Sequence, residues 1–539
     1  MRRRHLTLAL GFAVVTMLGY WLATTAMPRK AARVDSPKTA FEPKRRIVVD
    51  EPAPRFRKED RGPAFRRDDE ATKAGALPGQ RTLVFKNQAA LEAFLKRMGN
   101  KVRLMGRLDA LNALRVGFFD YGDLASLLDG GEEESFIFPV IVPPAPGDAA
   151  AQPGAVALGA GLLEWLGITG DNSAWGRGVS IAVLDTGVTS NRAFSSAITW
   201  QNLVDLPANL TTQSGHGTAV ASMIIGTDSL TPGVAPGASI VSIRIANDAG
   251  QSDSFLLAQG IVAAVNAGAG LINISMGSFG DSLLVRNAIA YARDAGALIV
   301  AASGNNGLNQ VSYPAANDGV IAVGAVDALG NHLNFSNTGP QVSISAPGFE
   351  VNAAWTGNQA ASVSGTSFSA PIIAGAIAAV KSWPGNQNLT MLQAANLVFA
   401  YLNDAGEAGP DVALGGGMPD MGRVLNAKTP GIYDAALASQ RILPPDSKNP
   451  YGQVEIMVQN RGTEPLINTS VKIATPTGEV TSNITSLAVN AVKTIRVPIS
   501  APTAPSMRYD STVMLSGGRT DAKPGNDRRA ETYVPVSGK

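Results

Sequence analysis

Three short stretches of this chain pair a reactive side chain with the small residues that would expose it. In Ala182-Val183-Leu184-Asp185-Thr186-Gly187 a carboxylate closes an apolar run and a glycine releases the turn. In Ser214-Gly215-His216-Gly217-Thr218 a histidine stands between glycines, ahead of the apolar run Ala219–Ile225, where a substrate can approach closely. In Ser364-Gly365-Thr366-Ser367-Phe368-Ser369-Ala370-Pro371 a serine opens the helical run Ile372–Val380, where the helix dipole and free backbone N–H groups favour an attacking oxygen. Each has a plainer reading. Asp185 suits a turn and Ser367 suits a helix cap. Asp-Thr-Gly also fits an aspartic protease, which needs two carboxylates sharing one proton. This chain has a single Asp-Thr-Gly, so it would have to dimerise to qualify. Taken together, Asp185, His216 and Ser367 supply the orienting carboxylate, general base and nucleophile of a serine hydrolase.

The elements needed to position them are legible. Residues 161–427 alternate buried-strand runs (Val179–Leu184, Ile240–Ile245, Leu271–Ser275, Ala297–Ala302, Val320–Val326) with helical segments such as Phe255–Ala267 and Asp281–Asp294. That alternation predicts an α/β fold, a parallel sheet with helices on both faces, whose strands carry reactive groups at their carboxyl ends. Composition removes the competing chemistries. The 539 residues contain no cysteine, so disulfides, thiolate metal sites and cysteine nucleophiles are excluded. The only histidines are His5, His216 and His332, too few for a multi-histidine metal site. A formal net charge of +2 gives no basic field for nucleic acid.

With these residues in hand the chain resembles the subtilisin-like (subtilase) serine proteases. The matching stretches run through most of 161–427: Val-Leu-Asp-Thr-Gly, Gly-His-Gly-Thr, Gly-Val-Ala-Pro at 233–236, Asn-Ile-Ser-Met-Gly at 273–277, Ala-Ala-Ser-Gly-Asn at 301–305, Ala-Pro-Gly at 346–348 and Gly-Thr-Ser at 365–367. The resemblance implies a serine endopeptidase acting on polypeptides through an acyl-enzyme, with Asn305 as the oxyanion donor. The alternative is a catalytically silent binding or surface protein that kept the fold. The resemblance also implies one pocket wall from Ser275, Met276 and Gly277 and the other from 301–304, thus Ala302, Ser303 and Gly304, with Ser312 near the floor. No acid or base lies in these stretches, so an apolar or neutral side chain is expected there. Asn191-Arg192-Ala193-Phe194 replaces the family's usual His-Pro-Asp, and the helix after His216 passes to Gly-Val-Ala-Pro without an inserted calcium loop. No metal site and no cofactor is therefore carried over. Phe368 and Ile372 stand where Met and His are usual.

The flanks read differently. Residues 1–27 open with three arginines and run uncharged from Leu6 to Met27, enough for a helix of about 33 Å, which fits a signal peptide or an uncleaved membrane anchor. Either exports the remainder of the chain, to the outside or the periplasm, tethered or free. Residues 28–80 are charged and Pro-rich and read as a disordered linker. Residues 1–80 hold 17 Lys/Arg against 9 Asp/Glu, so the basic excess sits in this arm. Residues 81–142 follow a β-α-β-β-α-β order with a last strand at Ser135–Val142, a split βαβ module. It resembles the family's amino-terminal propeptide and would be an intramolecular inhibitor. A Pro/Gly/Ala-rich linker at 143–160 offers an extended stretch for maturation cleavage. Residues 428–539 alternate apolar and polar residues in short runs, an Ig-like, adhesion-type β-sandwich pattern.

Overall fold

The computed structural model describes residues 64–143, 152–204, 212–501 and 504–534. The expected signal or anchor at 1–27 lies outside the described residues, as does 28–63 of the expected linker. Among the described residues no helix is long and apolar enough to cross a membrane. The end of that linker differs from expectation, because Ala64–Lys73 forms a helix, α1. It is fastened by Arg81, which is 1% exposed, donates to Asp68 at 3.3 Å and Glu134 at 3.1 Å, and lies 4.7 Å from the Phe136 ring centroid. An arginine desolvated between carboxylates and an aromatic face holds both partners in place.

A four-stranded antiparallel sheet follows, with β1 Gln80–Phe85, α2 Gln88–Arg97, β2 Val102–Leu108, β3 Ala113–Phe118, α3 Tyr121–Ala125 and β4 Glu132–Ser135 in the order β2-β3-β1-β4. Asn87 caps α2 by accepting from the Ala90 N–H at 3.0 Å, and Leu91 and Phe94 on its inner face meet Leu83, Phe85, Leu114 and Val116 of the sheet. The expected last strand, Ser135–Val142, is divided. Phe136 and Phe138 turn inward against Ala71 and Ala76, and Pro139 has no N–H to continue a ladder. The chain therefore leaves the sheet after Ser135. A separate strand, β5 Pro139–Ile141, pairs with the next domain. The expected linker is also fastened over its described second half, where Leu158 and Gly159 donate to Phe349 O and Glu350 O at 3.2 and 2.9 Å.

The body is a seven-stranded parallel sheet. Its elements are β6 Ser180–Asp185, β7 Ile198–Asn202, α4 His216–Ile225, β8 Ser239–Arg244, β9 Gln251–Asp253, α5 Ser254–Asn266, β10 Leu271–Ile274, α6 Leu283–Asp294, β11 Leu298–Ala302, β12 Val320–Val326 and β13 Val342–Pro347. The spatial order is β13-β12-β11-β10-β6-β8-β7, with β9 paired outside the sheet to β5. On one face Ala182, Leu184, Ile272, Ile274, Ile299 and Ala301 share a core with α5 and α6. The alternate residues Ile181, Val183 and Val300 are equally buried, so both faces are covered. A hairpin, β14 Val351–Trp355 and β15 Gln359–Val363, then delivers the chain to the buried helix α7 Thr366–Ser382, which packs on α4. Helices α8 Met391–Phe399 and α9 Met421–Asn426 complete the domain.

Residues 435–533 form two antiparallel sheets. One orders β16 Ala435–Leu443, β17 Gln453–Asn460 and β20 Val492–Pro498; the other orders β19 Gly478–Leu487, β18 Leu466–Thr475, β21 Met507–Met514 and β22 Arg528–Tyr533. Leu437, Ile456 and Val497 of the first meet Val471, Ile473 and Val513 of the second in one core.

The seam between this unit and the body is polar. The Asp404 N–H donates to Gln459 at 3.0 Å, and Asp404 Oδ2 accepts from Gly409 N at 2.8 Å while Oδ1 has no partner. Burial pushes the Asp404 carboxyl up to about 6. The folded chain therefore keeps a proton that the unfolded chain, near 3.8, gives up, and stability from this group falls as pH rises from about 4 to 6. Asp404→Asn, whose amide oxygen can still accept from Gly409, is expected to unfold at higher urea than wild type at pH 8 by about 1–2 kcal/mol, discounted for the water that reaches the carboxylate. The gain should vanish when the same titration is run at about pH 4. A gain independent of pH would show that the substitution acts through packing.

Candidate active site

Parallel pairing of β6 with β8 and β10 brings Asp185 to the carboxyl end of an inner strand, where it is 0% exposed. A carboxylate at such depth needs donors. It has the Thr186 N–H at 2.7 Å, the Thr186 hydroxyl at 3.2 Å and His216 Nδ1 at 2.9 Å from each of its oxygens. Because both oxygens accept, Nδ1 carries the proton and Nε2 is left as the acceptor. Nε2 is buried and has no partner. Helix α4 places His216 at its first residue. Gly217 lets the helix close on the Asp185 turn, since a Cβ there would collide with the Gly187 carbonyl. The Phe368 ring packs at a tilt against the imidazole, 5.3 Å between centroids.

Ser367 is the second residue of α7 and 1% exposed. Its hydroxyl donates to the Ser275 carbonyl at 3.1 Å, and the Ser275 hydroxyl donates to the Ser367 carbonyl at 2.7 Å. Asn305 follows β11. Its Oδ1 accepts from the Thr366 N–H at 2.9 Å and the Thr366 hydroxyl at 2.7 Å. An N–H can only donate, so this contact fixes the amide's orientation and leaves Nδ2 as the donor end. The structure thus brings Asp185 to His216, Ser367 to Ser275, and Asn305 to the residue before Ser367.

The expected pocket residues also converge. Ser312 N donates to Ser303 O at 2.9 Å, and Ser278 and Tyr313 exchange backbone bonds at 2.9 and 2.7 Å, so the stretches 275–278 and 302–304 meet around 312. Gly304 holds φ +110, and a Cβ there would strike Ser312 and Asn337. Ala302 is buried beside them, and Met276 joins the core shared with α5 and α6. Sequence reasoning missed Asn337. Fully buried, it accepts from Asn306 N at 3.0 Å and Leu308 N at 3.1 Å, and donates to Ser303 O at 3.2 Å. It holds both sides of the loop that carries Asn305. In Phe335-Ser336-Asn337-Thr338-Gly339 it looks like any turn residue, and no local signal marks it.

The site also has an occupied edge. Strand β5 lies between β9 and Gly277: Ile141 pairs with Gln251 on one side and exchanges backbone bonds with Gly277 at 3.0 and 3.2 Å on the other. Arg115 of β3 reaches Asp253 at 2.7 Å beside it.

The parallel α/β sheet thus holds a carboxylate-bound imidazole at one helix start, and the residue after Ser367, Phe368, packs on that imidazole. The profile of the subtilase family matches residues 176–417. Subtilisin Savinase of Lederbergia lenta is 37% identical over 225 residues, 39% of this chain and 81% of that protein; subtilisin DY of Bacillus licheniformis is 34% identical over 213 residues, 38% and 78%. A thermostable alkaline protease of Halalkalibacterium halodurans is 38% identical over 231 residues, which is 42% of this chain and 64% of that protein. The chain belongs to the subtilase family of serine proteases.

Proposed function

We propose that the chain is a serine endopeptidase in which Ser367, His216 and Asp185 work as one unit. The observation that carries this reading is the buried imidazole whose Nδ1 is committed to Asp185 while Nε2 stands free. When the Ser367 hydroxyl turns from the Ser275 carbonyl, Nε2 takes its proton and Oγ attacks the scissile carbonyl carbon. Asp185 holds the tautomer and stabilises the imidazolium. Asn305 Nδ2 donates to the oxygen as it becomes negative. The imidazolium then protonates the leaving amine, and water hydrolyses the ester by the same route. Gly277 on one side and the edge at 250–253 on the other offer backbone groups for an extended polypeptide to bind as an added strand. The neutral lining of Ser303, Gly304 and Ser312 suits an apolar or uncharged side chain before the scissile bond.

Residues 81–142 are read as the chain's own inhibitor, supported by β5 lying along the groove. The apolar run at 6–27 supports export of the remainder, secreted or tethered. Prolonged incubation with a fluorophosphonate probe should add one phosphonyl group, at Ser367, located by peptide mass spectrometry. A folded chain that takes up no label even when residues 139–143 no longer occupy the groove would instead be a silent binding protein on the same fold.

A further inference from the structure

We propose that residues 139–143 lie in the substrate groove in a register that sets the Pro143 carbonyl at Ser367, so that, with proline next in sequence, the chain closes its site with a segment it cannot cut. This rests on the proteolytic reading above and goes beyond it. The register follows from the pairing. Ile141 and Gly277 exchange both backbone bonds and run antiparallel, so Val142 stands opposite Met276 and Pro143 opposite Ser275. The other edge agrees, since Ile141 faces Gln251 and the Val142 N–H donates to Gly250 O at 2.8 Å. Three residues before Pro143, Val140 lines a small cavity together with Ser254, Leu257, Ser278, Val285 and Tyr313. Ser275 is the residue whose carbonyl holds the Ser367 hydroxyl. The Pro143 carbonyl is therefore the one abreast of Ser367.

Proline at this place has three consequences. In a ladder where residues 141 and 277 form a hydrogen-bonded pair, residues 143 and 275 form the next one, and position 143 should donate its N–H to the Ser275 carbonyl. Proline has no N–H. The carbonyl accepts from Ser367 instead, and His216 Nε2 is left without a partner. The free place on Ser275 thus keeps the nucleophile away from its base. Second, a residue before proline favours the extended conformation, so the strap loses little ordering entropy on binding. Third, a proline leaving group carries a ring carbon on the nitrogen that must be protonated, and its φ is fixed, so it cannot relax into a productive geometry. Binding is favoured and cleavage is blocked by the same two residues.

The test uses the full chain and the Pro143→Leu/Pro144→Ser variant. In the variant, Ser367 Oγ bonds to the carbonyl carbon of residue 143, its proton passes through His216 to the nitrogen of residue 144 as the C–N bond breaks, and water releases the acid. Intact-mass measurement over time should show the variant cut between 143 and 144 at a rate on the order of 100-fold above any Ser367-dependent cut of wild type. The same substitutions in a Ser367→Ala chain should give no cut. A wild-type chain that cuts itself anywhere within 143–160 overturns the inference. So does a variant that hydrolyses an added peptide yet stays whole. A variant that neither cuts itself, nor hydrolyses peptide, nor takes up fluorophosphonate overturns the proteolytic reading itself.

Discussion

Replacing Ser367 by alanine is expected to abolish peptide hydrolysis while leaving the fold unchanged. The substitution removes one oxygen that accepts no hydrogen bond and donates one, to the Ser275 carbonyl. In the Pro143→Leu/Pro144→Ser background that carbonyl keeps the N–H of residue 143 as a partner. The cost to stability is thus within about 1 kcal/mol. The cost to chemistry is far larger, because on the proposed mechanism the oxygen that attacks the carbonyl carbon is gone. The loss in turnover should be on the order of 10⁵–10⁶, a scale set by subtilisin itself and carried to this chain by family membership. The rate of self-cleavage in the Pro143→Leu/Pro144→Ser background gives a single-turnover measure, and hydrolysis of a chromogenic tetrapeptide gives the steady state. Circular dichroism and the thermal midpoint should match the parent. If Ser367→Ala retained more than about a tenth of the parent rate, Ser367 would not be the nucleophile.

What the sequence discloses and what it hides divide along a physical line. The inner strands at 180–185, 239–244, 271–274, 298–302 and 320–326 are buried on both faces, so they read as mainly apolar runs of strand length. The edge strands are not legible in the same way. Ile198–Asn202 is mostly exposed and polar, and Val342–Pro347 ends in a proline that looks like a breaker. Glycines around His216 and Ser367 signal a tight approach from local sequence alone. Asn337 gives no such signal, because its partners Asn306, Leu308 and Ser303 come from a loop about 30 residues away. The strap is hidden for a related reason. Ser135–Val142 has the composition of one strand, yet whether it continues a sheet or departs depends on where Phe136 and Phe138 find cover, and α1 provides it from sequence that reads as linker. Local pattern carries burial; the choice of partner is made by tertiary contacts.

Asn305→Ala is expected to slow the reaction by on the order of 10²–10³ without stopping it, the magnitude of a single oxyanion donor in subtilisin. The chain's own geometry explains why the donor should be worth that much. Its Oδ1 is held twice by Thr366, the residue next to Ser367, so the amide is tied to the backbone that carries Ser367. Asn337 fixes the loop beyond it through the Asn306 and Leu308 N–H groups. A donor aimed before the charge develops needs no reorganisation during the reaction, and this is the part that alanine removes. The step affected is formation of the tetrahedral intermediate, so kcat should fall while KM for a tetrapeptide stays within about threefold. Thr366→Val separates aim from presence. It removes one of two bonds to Oδ1 and leaves the amide in place, so its loss should be smaller, on the order of tenfold. Self-cleavage at 143–144 in the Pro143→Leu/Pro144→Ser background should slow in the same ratio for both variants, since it passes through the same intermediate. A rise in KM with unchanged kcat would place Asn305 in binding the ground state instead.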